Sequence, residues 1–451
     1  MSVARARKGF RLDTDLCTGC SACAVACAVE NELPWGTSWR WIETFNPRHV
    51  AGLPSYHLSL ACNHCADAPC MEHCPALAYG RDLLTDAVIL DPDKCIGCRY
   101  CTWACPYDAP RFDAEAGVVS KCTFCHHRQL EGLAPACVQQ CPTGALTWGD
   151  LDALDGSAEI AGFPATDARP SVRFAGDRGG AAPTGAFPVA AAVPPKTSLA
   201  TEGPLVLFTL LAATLAGTMA TASGRALLEL PAFLILAAVA AGASTLHLGR
   251  KGRAWRAVLN VRRSWLSREI ALFTLFVAAS AVVLSPLPTP RGGGWVVAAL
   301  GFALLFAVDR VYQVTRTRGL VVHSAGVLLT GVMVAGIVGG SAVTWGTVLA
   351  AKIISYTLRK ARLREERRAV REGWTVARLA SGVAASGLLI VAAPYGTFAW
   401  SMAAWVAVGL LAVGEIVDRC EFYLELEVPT PRAEMGRALA ERLKEAGRRA
   451  A

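Results

Sequence analysis

Sixteen of the seventeen cysteines fall between Cys17 and Cys141, in four groups of four, and only Cys420 lies elsewhere. The first group is Cys17-x-x-Cys20-x-x-Cys23-x-x-x-Cys27, and the third is Cys95-x-x-Cys98-x-x-Cys101-x-x-x-Cys105-Pro106. The second, Cys62-x-x-Cys65, Cys70 and Cys74-Pro75, carries a two-residue insertion, and the fourth, Cys122-x-x-Cys125, Cys137 and Cys141-Pro142, a longer one. So many thiols in so short a stretch leave little room for an ordinary apolar core. What they bind must organise the fold.

Three closely spaced thiolates followed by a fourth is the run seen in bacterial ferredoxins, where three hold one face of a cubane and the fourth reaches the neighbouring cluster. Four groups of four then supply four 4Fe-4S clusters with no ligand left over. Crossing the fourth cysteines pairs groups two and three in one unit, with Cys62, Cys65, Cys70 and Cys105 on one cluster and Cys95, Cys98, Cys101 and Cys74 on its neighbour. Groups one and four pair around the outside, with Cys17, Cys20, Cys23 and Cys141 on one cluster and Cys122, Cys125, Cys137 and Cys27 on the other. Structural zinc also uses Cys-x-x-Cys, but as two separated pairs closing one tetrahedron, which suits these longer runs less well. A disulfide framework would require an oxidising compartment. The N-terminal residues are cationic, with no apolar stretch before Cys17 that would read as a secretory signal. Because each cluster has four thiolates already, His64, His73, His126 and His127 are expected to face solvent or support ligands, and Trp103 to shield a cluster from water.

The rest of the chain has another composition. The 451 residues are 53% hydrophobic and only 18% charged, against about 25% charged in typical soluble proteins. Residues 1–155 are polar and turn-rich, with short apolar runs such as Ala87-Val88-Ile89-Leu90 that read as strands. Residues 156–201, rich in Ala, Pro and Gly, read as a linker in which Pro170–Phe174 could form an extended arm. In residues 202–420 eight stretches approach the roughly 20 apolar residues that cross a bilayer as a helix. They lie at about 203–222, 227–247, 270–286, 295–315, 320–338, 342–358, 376–394 and 397–417. The tail, 421–451, reads as a short exposed or interfacial helix from Pro429. The expected fold is an α+β double ferredoxin-like iron-sulfur domain followed by an all-α eight-helix transmembrane domain.

Charge orients the helices. Loops on the side of the N-terminal domain hold Arg250, Lys251, Arg253, Arg256, Arg262, Arg263 and Arg268, then Arg310, Arg316 and Arg318, then Arg359, Lys360, Arg362, Arg364, Arg367, Arg368, Arg371 and Arg378; opposite are Arg225 and Arg291. The positive-inside rule puts the iron-sulfur domain on the cytoplasmic side of the cell membrane, with the periplasmic side as the alternative. Ionisable residues in the helices crowd the same half: His247, Glu269, Asp309, His323, Lys352 and Glu415, against Glu229 in the other. Such residues are functional candidates by default. Glu269 and Asp309 taken singly read as snorkelling or interfacial, whereas for His247 and His323 a pocket and an interfacial role both stand.

Cys62-Asn63-His64-Cys65, Lys94-Cys95-Ile96-Gly97-Cys98-Arg99-Tyr100-Cys101, and Lys121-Cys122-Thr123-Phe124-Cys125 through Cys141-Pro142-Thr143-Gly144-Ala145 resemble the electron-transfer subunit of the dimethyl sulfoxide reductase family of molybdenum enzymes, over residues 8–150. Relatives such as respiratory nitrate reductases replace one cysteine with Trp, and this chain has no such gap. Ser244-Thr245-Leu246-His247 through Arg253, Trp255, Asn260 and Ser264–Glu269 resemble that family's anchor subunit. The resemblance implicates His247 and Arg253 in menaquinol binding, with His323 and Glu415 as further candidates. Imidazole suits the proton transfers of quinol oxidation. The implied function is a non-catalytic subunit that passes electrons between membrane menaquinol and a separate molybdopterin catalytic subunit in anaerobic respiration. It would contact the bilayer and the quinone pool, but no nucleic acid. The rival readings are a quinone-reducing module of a sulfite dehydrogenase or polysulfide-type complex, and a zinc-stabilised membrane scaffold.

Overall fold

The computed structural model describes residues 7–50, 53–177, 199–288, 291–313, 323–365, 370–392, 402–425 and 430–450. Arg316, Arg318, Arg367, Arg368, residues 178–198 of the expected linker, Pro429 and the ends of several expected spans lie outside the described residues. Contacts divide the chain into two compact units: Met1–Pro194, Leu248–Ser264 and Val428–Ala451 in the first, Pro195–His247 and Trp265–Glu427 in the second. Two stretches that lie beyond the first helices in sequence thus belong with the cysteine-rich unit.

The first unit contains β1 (Lys8–Asp13), α1 (Ala22–Glu30), β2 (Trp41–Phe45), β3 (Tyr56–Leu60), α2 (Pro69–Glu72), β4 (Tyr79–Arg81), β5 (Val88–Leu90), α3 (Tyr100–Ala104), β6 (Arg111–Asp113), β7 (Val118–Ser120), α4 (His126–Leu130), α5 (Ala136–Gln139), β8 (Leu146–Asp150) and β9 (Val172–Ala175). β1 pairs antiparallel with β8 and parallel with β9, so both ends of the domain close on one sheet. Phe10 and Leu12 alternate inward beside Leu146, Val172 and Phe174. The arm expected within 156–201 is therefore β9, an integral strand. Three two-stranded hairpins complete the unit: β2–β3, β4–β5 and β6–β7.

One backbone device recurs in each cysteine run. The residue before the second cysteine is left-handed every time: Gly19 (φ 71°), His64 (φ 42°), Gly97 (φ 68°) and Phe124 (φ 63°). Glycine takes this conformation without steric cost, whereas His64 and Phe124 must be held in it by their packing. The turn points amides at sulfur, as in Gly97 N–H to Cys95 Sγ (3.4 Å) and Phe124 N–H to Cys122 Sγ (3.3 Å).

The second unit is helical: α6 (Leu199–Met219), α7 (Ala222–Leu227), α8 (Leu230–Leu246), α9 (Trp265–Leu284), α10 (Gly293–Val311), α11 (Val327–Val338), α12 (Ala342–Glu365), α13 (Glu372–Ala392) and α14 (Met402–Glu425). The last helix, α15 (Pro431–Ala450), returns to the first unit, where Arg432 meets Glu43 (3.5 Å) and Arg442 lies over Phe45. Each of the eight expected spans coincides with a described helix, although the third begins earlier, at Trp265, and the fifth later, at Val327. Among the described residues, four segments are long and apolar enough to cross a membrane, α6, α9, α10 and Glu372–Ile390 of α13, or five if α8 and the sharply bent Lys251–Val258 turn count as one span. α8 and α11 are short, at 17 and 12 residues, and α12 and α14 each carry a row of buried charges. Two apolar cores alternate with these helices. Phe208, Phe233, Phe276 and Leu304 gather α6, α8, α9 and α10, while Met333, Trp345, Leu389 and Leu411 gather α11 to α14. α6 and α11 approach closely because Gly217 faces Gly331, where an added Cβ would come within 2.5 Å of the Gly331 carbonyl.

Candidate functional site

The sixteen thiols fall into four sets. Cys17, Cys20, Cys23 and Cys141 line one cavity, and Cys74, Cys95, Cys98 and Cys101 line a second. Cys62, Cys65, Cys70 and Cys105 form a third set, and Cys27, Cys122, Cys125 and Cys137 a fourth. Neighbouring sets are linked through particular thiols. Cys23 acts on Cys27 and Cys137, Cys62 on Cys122, and Cys101 on Cys70. The order is therefore linear: the Cys17 set, the Cys27 set, the Cys62 set, the Cys74 set.

Burial, and then the neighbouring thiols, push Cys65, Cys70, Cys101 and Cys122 well above the ordinary thiol range. Burial likewise pushes Cys27 and Cys98 up to about 12. Thiolates here need cations to hold them, which iron supplies. At the exposed end Cys141 is lowered. Burial opposes this, but the Leu146 amide (3.4 Å) and the Thr143 hydroxyl outweigh it.

Whether these residues fit an anionic cluster is tested by Arg40, a cation buried to 1% exposure. Its Nη1 donates to the Ser59 carbonyl (3.3 Å) and hydroxyl (2.9 Å), and its guanidinium lies over Phe10. Burial works against its charge, yet the thiols of Cys137, Cys23, Cys122 and Cys27 hold its pKa up. A buried guanidinium ringed by sulfur suits a set of thiolates bearing net negative charge. Among the described residues, no three His, Cys, Asp or Glu side chains are placed to share one metal ion.

The histidines near these sets have structural partners. His64 is buried and accepts the Val88 amide at Nδ1 (3.0 Å), burial holding it well below its ordinary pKa. His127 pairs with Glu30 (3.0 Å), His73 packs edge-on to Tyr100, and His126 is half-buried. Trp103 is half-buried as well. Arg40 and Lys121 are both buried beside the sets; Lys121 belongs to a quoted cysteine motif, whereas Arg40 carries no sequence signal that would have singled it out.

The stretch Leu248–Ser264 lies against the Cys74 set within the first unit. Gly249 N–H donates to the Gly97 carbonyl (3.3 Å) and Arg250 N–H to Ile96 (3.1 Å). Only glycine permits this approach: a Cβ on Gly249 would come within 2.1 Å of the Gly117 carbonyl, and one on Gly97 within 2.3 Å of it. Arg253 Nη1 donates to the carbonyls of Pro92 (2.8 Å) and Cys95 (3.2 Å), and Asn260 Nδ2 to those of Glu72 (3.0 Å) and Cys74 (2.9 Å). Arg253 thus rests on a cysteine loop.

In the second unit His247 is the half-buried residue that ends α8. Glu229 stands at the opposite end of that helix, and Glu269 is buried in α9. Asp309 caps α11, accepting the amides of Val327 (2.7 Å) and Leu328 (3.0 Å). His323 meets Arg359 (2.9 Å at Nδ1), and Lys352 pairs with Glu415 (2.9 Å). The wider ion network around Lys352 and Glu415 has no signature in the sequence, where each of these residues stands singly.

A cysteine domain of this kind, joined to membrane-capable helices, defines an iron-sulfur electron-transfer subunit that carries its own membrane anchor. Residues 54–151 match the 4Fe-4S dicluster domain, and residues 198–357 match the DMSO reductase anchor subunit (DmsC). The protein is 37% identical over 172 residues to an anaerobic dimethyl sulfoxide reductase chain of Haemophilus influenzae, covering 35% of this protein and 83% of that one. It is 39% identical over 176 residues to a putative dimethyl sulfoxide reductase iron-sulfur subunit of Halobacterium salinarum (32% and 66% covered), and 39% identical over 162 residues to protein NrfC of Escherichia coli (36% and 72%). The chain belongs to the dimethyl sulfoxide reductase iron-sulfur subunit family, with the anchor fused in the same polypeptide. It is an integral membrane protein of electron transfer.

Proposed function

We propose that the chain carries electrons between a membrane quinol, menaquinol being the form implied, and a separate molybdopterin catalytic subunit, through four 4Fe-4S clusters held by the four thiol sets. The observation that carries this reading is the linear order of the sets between two different ends. At one end Arg253 donates to the carbonyl of Cys95, so the guanidinium implicated in quinol binding also touches a cluster-bearing loop. At the other end Cys20 is exposed and Cys17 and Cys141 half-exposed. Leu16, Val25, Val29 and Trp35, in or close in sequence to the first cysteine run, are exposed apolar side chains. Exposed apolar side chains of this kind suit a docked protein.

When bound, the clusters supply one-electron transfer at potentials set by charge, hydrogen bonds to sulfur and solvent exposure. The chain's own residues set those conditions. Amides of Gly97, Phe124, Ala78 and Leu146 donate to Cys95, Cys122, Cys74 and Cys141, and such bonds stabilise the more negative, reduced state. His247 supplies an imidazole suited to accept a quinol proton near neutral pH, and His323 and Glu415 are further groups for that pocket. The cation asymmetry supports a cytoplasmic iron-sulfur unit.

The test is purification of the full chain from its native host together with whatever co-purifies. About sixteen iron atoms per chain, four titrating cluster signals and a molybdopterin-containing companion are expected. About four zinc and no iron would overturn the reading, and so would a companion without molybdopterin.

A further inference from the structure

The second unit contains a charge-balanced row of buried ions that quinol binding alone does not require. On α12, Lys352, Tyr356, Arg359 and Lys360 share one face, and on α14 so do Glu415, Asp418, Glu421 and Glu425. Arg378 reaches in from α13. Four cations face four carboxylates, and Lys352, Lys360, Arg378, Asp418 and Glu421 are each at most 1% exposed.

The contacts run unbroken. Glu415 accepts from Thr330 (2.7 Å) and Arg378 (3.1 Å) and forms an ion pair with Lys352 (2.9 Å). Asp418 accepts from Ser324 (2.8 Å) and Arg359 (3.1 Å), and lies 3.6 Å from Arg378. Glu421 accepts from Tyr356 (2.7 Å) and forms an ion pair with Lys360 (2.8 Å). Glu425 meets Arg359 (3.2 Å) and also Lys360. Arg378 and Arg359 each bridge successive carboxylates, and His323 touches Arg359. Arg378 Nη1, fully buried, has no hydrogen-bond partner among the described residues. A donor left open beside two carboxylates is a place for water.

The two ends of the row differ. Beyond Glu415 and Lys352 the helices turn apolar, with Leu411, Leu349, Trp345 and Met333 in one core. Beyond Glu425 and Lys360 lies the exposed ion pair of Arg364 with Glu372 (2.7 Å). From Glu415 to Glu425 is ten residues of helix, about 15 Å, or half of a hydrocarbon layer of about 30 Å. A structural clamp between helices has no need to stop halfway with one end at a polar face. Membrane helices pay heavily for buried charge, and such residues mark ion and proton paths.

We propose that Glu415, Asp418, Glu421 and Glu425 form a proton half-path between the interior of the α11–α14 bundle and the aqueous face beside Arg364 and Glu372, serving the quinol site. This rests on the quinol reading above. In quinol oxidation each O–H bond breaks as a new bond to hydrogen forms on an acceptor of the quinol site, the proton enters the row at Glu415 and leaves from Glu425, and the two electrons go singly to the clusters. Quinone reduction runs the same steps backwards. The carboxylates, with Tyr356 and water between them, are the carriers.

The test uses the purified full chain, loaded with clusters, in lipid nanodiscs, with a soluble menaquinol analogue and ferricyanide as electron acceptor. Asp418→Asn and Glu421→Gln should each slow quinol oxidation about a hundredfold, the scale of a lost proton-transfer group, while dithionite-reduced cluster spectra stay unchanged. Glu421→Asp should restore much of the rate. If Asp418→Asn does not fold, Glu425→Gln at the accessible end replaces it. Infrared difference spectra on changing pH should show a carboxylic C=O band, shifted in heavy water and lost in these variants. Folded variants that turn over quinol at the wild-type rate would overturn the half-path and leave the quinol reading standing. If the wild type oxidises no quinol, that reading falls, and the infrared band alone then decides the row: present, it supports proton uptake there; absent, it overturns it.

Discussion

Replacing Arg40 with Gln should lower the reduction potentials of the clusters held by the Cys17 and Cys27 sets. The residue has no carboxylate among the groups that chiefly act on it, only the thiols of Cys137, Cys23, Cys122 and Cys27. Those sulfurs belong to the Cys17 and Cys27 sets, so the effect should be local. Each electron added to a cluster makes it more negative, and a buried cation favours that state. For a separation of about 8 Å and an effective dielectric constant of about 20, one unit charge is worth about 2 kcal/mol. For a one-electron couple that is about 90 mV. Arg40→Lys keeps the charge while losing the contacts to Ser59, and should shift the potentials by less than a third as much. The assay is a mediator titration of the purified chain followed by electron paramagnetic resonance. Four unchanged potentials in Arg40→Gln would refute the reasoning, because a cation that no anionic cluster feels cannot be held there by one. A shift confined to the Cys62 and Cys74 sets would refute the assignment of neighbours.

Gly249→Val should push the Leu248–Ser264 stretch off the Gly97 and Gly117 backbone, at a cost of about 2 kcal/mol, seen as faster proteolysis near Arg250 with cluster content intact. His247→Ala should slow quinol oxidation and leave the cluster spectra unchanged; undiminished turnover would remove His247 from the site. Arg253→Ala should weaken quinol binding and also disturb the spectrum of the Cys74-set cluster, because its guanidinium holds the Cys95 carbonyl; Arg253→Lys should separate the two effects. A reporter fused after Ala451 should be active in the cytoplasm only, since α15 packs on the cysteine-rich unit; activity confined to the periplasm would reverse the orientation.

The cysteine spacing made the iron-sulfur fold legible because the bound group imposes it: three ligands on one cubane face fix a short turn, whatever fills the positions between. The αL residue in each run follows the same logic, and the sequence signals it where it is Gly19 or Gly97 but not where it is His64 or Phe124. Hydropathy located the helices for a similar reason, since lipid demands apolar surface. It located least well what lies between them. Nothing local in Leu248–Ser264 says that it leaves the helical unit; its basic residues read as a membrane-facing loop, and only the glycine-to-glycine contact with Gly97 and Gly117 reveals where it packs. The charges of α12 and α14 were hidden by a related ambiguity. Lys360 and Arg359 counted equally well as loop cations under the positive-inside rule, while Glu421 and Glu425 looked like the start of a polar tail. A charge count treats each residue as an independent cost, whereas Arg359 sits within 3.6 Å of three carboxylates from one helix face. Pairing removes that cost, and pairing is a property of two helices rather than of either sequence. That is why the row that most sharply distinguishes this membrane half is also the part that composition and periodicity could not assemble.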